Sequence, residues 1–336
     1  MDSEQLQRRR AARAHGRRRR AARRRLAAVG ALAAVVIVAA VAVASSGGSG
    51  PSSTSGRSAS ASHSARNRHR HAGSAAGVGK ARGGSTAAAL GPATGRPGAA
   101  TVPILMYHVI APPPAGAPFP GLYVQPQEFA AQMQALKSAG WHPVTLDQLR
   151  AYWEHGARLP TGKPIVLTFD NGYRSQYTEA MPVLRRLGWV ADENIQLSGL
   201  PPSQGGLTDP QVRGLLSAGW ELDTQGISHA DLIALDASQL HYQVSTARQI
   251  LRRRYGVPVN WFCYPSGHYD GTVVAAVRAA GYVGSTTVVP GWASPAADSY
   301  RLPRLRVLGD TSPSALLAQI ASSSTASAPP ASYGGA

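Results

Sequence analysis

The sequence predicts an α/β fold over residues 101–320: a parallel sheet of βα units, open or closed into a barrel. Three observations predict it. Apolar, branched stretches alternate with amphipathic ones. A punctuation mark recurs between them, in Ala139-Gly140-Trp141, Leu187-Gly188-Trp189, Ala218-Gly219-Trp220 and Ala280-Gly281-Tyr282. Its glycine suits the left-handed residue that ends a helix, and its aromatic opens the next strand. Finally, several strand-like runs end in polar groups, as the carboxyl ends of strands do in such folds. All six tryptophans fall in this region, as expected of the part with a core.

Taken in order, strands are expected at 102–107, 143–146, 164–169, 189–197, 220–224, 259–263 and 282–287. Pro112-Pro-Pro114 to Leu122 reads as a rigid surface loop, placed to shape one wall of a cleft. After Pro126, the residues Phe129, Met133 and Leu136 fall at helical spacing, with Gly140 closing the helix. A second helix is expected from Asp209-Pro210 to Ala218 with Thr208 as its cap. A longer one runs from Asp236 to Arg254. Its last turn, Arg252-Arg253-Arg254, suits the helix dipole, so no ligand site is required there.

The flanks have another character. Residues 1–100 hold 18 Lys/Arg against 2 acidic residues, and residues 101–336 hold 16 against 15. The folded part is therefore almost neutral, which argues against a nucleic-acid groove. Residues 1–25 form an Arg-rich tail expected on the cytoplasmic side. Leu26–Ala44 then runs 19 residues without a charge, about 28 Å of helix, close to the thickness of a bilayer core. Segment 26–45 is read as a transmembrane anchor, or as a signal segment cleaved after Ala44. The domain is thus expected outside the cytoplasm, membrane-anchored or secreted. Residues 46–100 and 321–336 lack large apolar side chains and are expected to be a disordered linker and tail. One cysteine, Cys263, excludes an intrachain disulfide and suits an inert buried thiol.

The strand ends carry the chemistry. His108 follows the first strand, and Asp170 and Asn171 follow the third. The strand at 220–224 leads into Asp223, Thr224, Gln225 and then Ser228-His229, and Tyr264-Pro265-Ser266-Gly267 follows 259–263. Caps and turns use the same residue types. A closed βα architecture, however, would bring these groups to one mouth.

Three landmarks resemble the polysaccharide deacetylases of the NodB-homology type, a carbohydrate esterase family. They are Thr168-Phe-Asp-Asn-Gly-Tyr173, Trp220-Glu-Leu-Asp-Thr-Gln-Gly-Ile-Ser-His-Ala-Asp-Leu232, and Phe262-Cys-Tyr-Pro-Ser-Gly267 followed by Ala280-Gly-Tyr282. Val102-Pro-Ile-Leu-Met-Tyr-His108 and Arg301-Leu-Pro-Arg-Leu-Arg306 also resemble extracellular members, so the likeness spans 102–310. The resemblance implies a distorted (β/α)7 barrel that removes N-acetyl groups from a hexosamine glycan with a divalent metal, usually zinc. It implies Asp170 as the base, His229 as a metal ligand, and a backbone N–H at Ser266 as the oxyanion donor.

Two positions depart from the family pattern. Asn171 stands at the metal-binding aspartate and Gln225 at the first metal-binding histidine, and amides suit zinc poorly. Cys263 stands where the third motif has arginine, and the family's late histidine has no clear counterpart. Three accounts follow. A metal could be held by a rebuilt set of Asp223, Asp170, His229 and His108. Asp170 with a histidine could act on the glycan without metal. Or catalysis is lost and the barrel binds envelope polysaccharide. Tyr264 and Trp292 are candidate substrate-binding aromatics, Trp292 as a sugar-stacking platform. Expected partners are the glycan and, through the N-terminal helix, the membrane.

Overall fold

The computed structural model describes residues 93–198, 200, 205–325 and 328–335. The Arg-rich tail, the apolar segment 26–45 and linker residues 46–92 lie outside the described residues. No helix among the described residues is long and apolar enough to cross a membrane.

The strands are β1 (Val102–Tyr107), β2 (Trp141–Pro143), β3 (Lys163–Asn171), β4 (Asp192–Ile195), β5 (Glu221–Thr224), β6 (Trp261–Cys263), β7 (Gly284–Thr286), β8 (Trp292–Ala293) and β9 (Leu305–Arg306). The main path runs β7-β6-β5-β4-β3-β1-β8, all parallel except the β1–β8 edge. The result is a parallel partial barrel, where a seven-stranded closed barrel was expected. β2 leaves the path because it pairs only with the start of the nine-residue β3. Segment 302–306 spans the remaining gap. Leu302 bridges Thr286 of β7, and Leu305 and Arg306 pair with β1.

Strand alternation sorts the two faces. Leu105, Tyr107, Ile165, Leu167 and Phe169 point into the main core beneath the helices. That layer includes α1 (Pro126–Ser138), whose Phe129, Met133 and Leu136 are buried as their spacing requires. The other faces of β1 and β3 give Ile104 and Val166 to a second cluster with Trp261 and Leu302. Above that cluster, the same faces end in polar residues.

One helix contradicts the expected strand at 143–146. Thr145 accepts the Gln148 N–H and the Gln148 side chain returns to Thr145, a capping box that starts α2 (Leu146–His155). Its Leu146, Leu149 and Trp153 join the second cluster. Local capping overrode a short apolar run that also suited a strand.

The remaining helices are α3 (Met181–Leu187), α4 (Asp209–Ser217), α5 (Ala237–His241), α6 (Ala247–Tyr255), α7 (Gly271–Ala279) and α8 (Pro313–Ser322). Thr208 caps α4 as expected, and a π-turn at Tyr242–Thr246 joins α5 to α6. The stretch 321–336 differs from the disordered tail expected of it. Among its described residues, Tyr333 exchanges two backbone hydrogen bonds of 2.8 Å with Tyr269. The Tyr269 hydroxyl also donates to the Pro330 carbonyl at 2.8 Å.

Phe169 is the aromatic centre of the main core, stacked on Trp220 at 4.9 Å and on Tyr107 at 5.5 Å. Phe169→Ala is expected to cost about 3–5 kcal/mol. Urea denaturation would read this as a lower midpoint with the slope unchanged.

Candidate functional site

A cleft of about 430 Å³ opens at the carboxyl ends of the parallel strands. His108, Asp170, Asn171, Gln225, His229 and Ser266 all border it. Residues far apart in sequence therefore meet at one rim, as the strand-end pattern predicted. Pro118, Phe119 and Leu122 of the proline-rich loop form one wall.

Backbone strain collects here. Among the described residues, the non-glycine positions with positive φ are Asn171 (81°), His229 (54°) and Ser266 (55°). All three border the cleft. Such conformations cost energy and persist where the surroundings impose them, which is typical of functional sites. Gly172 continues the turn after Asn171 at φ 88°, and a Cβ there would come within 2.7 Å of Ile195.

Asp170 is 1% exposed and held by three side chains. Arg304 grips it in bidentate fashion, Nη1 to Oδ1 at 2.8 Å and Nη2 to Oδ2 at 2.9 Å. Asn194 Nδ2 donates to Oδ1 at 2.9 Å, and the Cys263 thiol sits 3.4 Å from Oδ2. Burial alone would raise this carboxyl, but the Arg304 charge and hydrogen bonds prevail and hold it at about 2. Arg304 is buried too, with Nε donating to the Thr287 carbonyl and Nη1 to Thr168. His108 Nε2 lies 4.0 Å from Asp170 Oδ2. Burial, outweighing that carboxylate, lowers His108 to about 4 and keeps it neutral. Burial likewise lowers His229, opposed by Asp170.

The amides are arranged differently. Asn171 Nδ2 donates to Gln196 Oε1 at 2.8 Å, which orients the Asn171 amide. Gln225 is 2% exposed, and its Oε1 meets no donor. A buried, unmet acceptor at a cleft suits a ligand N–H.

Two expected site residues lie elsewhere, and a third borders the cleft with its ring buried. Asp223 is fully buried, accepts the Trp261 backbone N–H at 2.8 Å and does not border the cleft, so the rebuilt metal set is not assembled. Trp292 packs edge-on against Trp141 and donates to the Ile320 carbonyl; this is a core contact, not a sugar platform. Tyr264 borders the cleft, but its ring is buried against Tyr269 and its hydroxyl donates to the Tyr300 carbonyl. Phe119 is the aromatic at the rim, 68% exposed. Sequence reading passed over it as part of a loop. It also passed over Arg304, though one arginine among buried Leu302, Pro303 and Leu305 signals a buried counter-charge. Arg306 borders the cleft and forms no ion pair among the described residues.

The polysaccharide deacetylase family profile matches residues 158–285. The chain is 30% identical over 224 residues to YxkH of Bacillus subtilis (strain 168), which carries the polysaccharide deacetylase name. The match takes in 66% of this chain and 77% of that protein. This chain belongs to the polysaccharide deacetylase family. Its fold is similar to the Streptococcus pyogenes deacetylase PplD, solved with acetate, at TM-score 0.61 and 26% identity. That likeness covers 66% of this chain and 99% of PplD. A 60-residue stretch is 42% identical to the poly-β-1,6-N-acetyl-D-glucosamine N-deacetylase of Escherichia coli (strain K12), 18% of this chain and 9% of that enzyme.

The cleft of this deacetylase-family chain does not fit a catalytic zinc. Asn171 and Gln225 offer neutral amides, and His229 is the one imidazole at the family's metal positions. Asp170 has both oxygens committed to Arg304. Zinc sites are built from thiolate, imidazole and carboxylate donors. Among the described residues, the group of three His, Cys, Asp or Glu side chains close enough to share an ion is Asp192, Glu221 and Asp223, outside the cleft.

Acid should destabilise the fold in two windows. His108 has its folded pKa lowered to about 4, so its contribution is complete above about 6.5 and shrinks as pH falls toward 4. Asp170 has its folded pKa lowered from 3.8 to about 2, so its contribution of about 2 kcal/mol is lost between those values. Thermal melts from pH 7 to 2 should show both steps, and His108→Gln should shrink the upper one, to which His229 also contributes. Arg304→Met, which leaves Asp170 buried and unpaired, should cost about 3–5 kcal/mol.

Proposed function

We propose that the cleft binds an N-acetylated hexosamine glycan of the cell envelope, and that recognition has replaced the family's metal-dependent hydrolysis. The observation that carries this reading is the bidentate Asp170–Arg304 pair. A carboxylate held at about 2 has little affinity for a proton at neutral pH, so it is a weak general base. Two of the family's three metal positions also carry amides where zinc needs a carboxylate and an imidazole. What the cleft retains is suited to binding. Gln225 Oε1 can accept an acetamido N–H, Asn171 presents an oriented amide, and Phe119 offers an exposed ring for a sugar face. An N-terminal anchor, with the linker after it, would keep the domain at the membrane's outer side within reach of envelope polymers.

De-N-acetylation is the second reading. Its support is that His108 and His229 are neutral imidazoles close enough to Asp170 for its charge to act on both. A neutral imidazole can take a proton from water without a metal.

Calorimetry with poly-β-1,6-N-acetylglucosamine fragments, chitooligomers and peptidoglycan fragments, with acetate measured in parallel, separates the two. Recognition predicts binding without acetate release above buffer, with or without added zinc. Phe119→Ala should weaken that binding about three- to tenfold. Acetate release that His229→Ala abolishes would overturn recognition in favour of hydrolysis.

A double substitution tests the donor argument. Asn171→Asp with Gln225→His restores a carboxylate and an imidazole beside His229. Aspartate tolerates the left-handed backbone that Asn171 adopts. Metal analysis should find roughly one zinc per chain in the double variant and far less in the parent.

A further inference from the structure

At the other ends of the same strands, three carboxylates face one another. Asp192 opens β4, Glu221 opens β5, and Asp223 lies two residues further along. An oxygen of each lies within 4.8 Å of the other two. Each has one oxygen met by a backbone N–H. Leu146 donates to Asp192 Oδ1 at 2.8 Å, Asp147 to Glu221 Oε2 at 3.0 Å, and Trp261 to Asp223 Oδ1 at 2.8 Å. The second oxygens, Asp192 Oδ2, Glu221 Oε1 and Asp223 Oδ2, are buried and meet no donor. Asp192 and Asp223 are wholly inaccessible to solvent.

No basic side chain compensates them. None of the ion pairs between described residues involves Asp192, Glu221 or Asp223. Asp147 brings a fourth carboxylate near, but its oxygens accept from Asn260 Nδ2 and the Trp261 indole. A buried carboxylate without counter-charge is strongly unfavourable, and neighbouring carboxylates make it worse. Burial, then mutual repulsion, pushes all three carboxyls well up. The cluster therefore demands positive charge, as protons or as a cation. Protons can neutralise the cluster, and Glu221 and Asp223 are placed to share one. A single divalent ion meets an oxygen from each residue at once.

We propose that Asp192, Glu221 and Asp223 form a binding site for a hard divalent cation, calcium by preference, which ties α2 to β4 and β5. The donors are all carboxylate oxygens, which select calcium, magnesium or manganese over zinc. Calcium takes oxygens at about 2.3–2.6 Å, so ligands of one ion lie within about 5 Å of each other, matching the cluster. Calcium also tolerates irregular geometry, and the backbone amides have already fixed the three carboxylates. The site is structural, and it does not depend on what the cleft does.

The full-length chain, stripped with chelator and exchanged into chelator-free buffer, tests this. Added calcium should raise its Tm by about 5–10 °C at saturation. Terbium, a calcium surrogate, should emit on tryptophan excitation, because the Trp261 indole sits at Asp147 beside the cluster. Asp223→Asn and Asp192→Asn should each reduce terbium emission about tenfold and remove the calcium shift. His229→Ala, in the cleft, should leave both signals intact. A parent protein with no calcium shift and no terbium emission would overturn the site. So would signals that survive Asp223→Asn and Asp192→Asn but vanish in His229→Ala. Unresponsiveness to calcium, with Tm falling more steeply on acidification from pH 7 to 5 in Asp192→Asn and Asp223→Asn than in the parent, would assign the cluster to shared protons instead.

Discussion

The buried pair of Asp170 and Arg304 is the interaction on which the rest of the cleft depends. It joins the end of β3 to the segment that spans the open side of the sheet, 134 residues later in the chain. Arg304 reaches Thr168, Thr287 and Cys263 from the same guanidinium, so one side chain fastens β3, the β6 end and the strand extension beyond β7. A charge buried this deeply persists only when both partners are fully hydrogen-bonded, and here they are. The same grip that stabilises the barrel lowers the proton affinity of Asp170. Structure and chemistry are coupled through a single contact.

The two ends of the strands handle charge in opposite ways. At the carboxyl ends, Asp170 is matched by Arg304, the imidazoles are neutral, and Arg306 remains at the rim. At the amino ends, Asp192, Glu221 and Asp223 gather with backbone amides and no basic side chain among the described residues to meet them. Asp223 makes the difference concrete. Two residues before Gln225 it shares that residue's face of the strand, but it lies deeper along β5, where the Trp261 N–H of β6 holds it in the acidic group.

Much of the scaffold was legible because it rests on local rules. The glycine punctuation, the helix after Pro126 and the cap at Thr208 depend on neighbours a few residues apart. β1, β3 and β5 begin or end close to where apolar runs break. The strand expected at 143–146 failed because four residues cannot distinguish a strand from a capped helix start. The tail failed because composition says nothing about a partner such as Tyr269.

By itself, the sequence determined the family, the strand ends that meet at the cleft, and the substitution of amides at two metal positions. Each follows from residue identity and order. Tertiary structure decided what those residues do. Arg304 meets Asp170, Trp292 packs against the core while Phe119 stands at the rim, and Asp223 lies deeper in the sheet than the site it adjoins. Those outcomes depend on which distant side chain arrives at a buried charge, and one-dimensional spacing does not encode that.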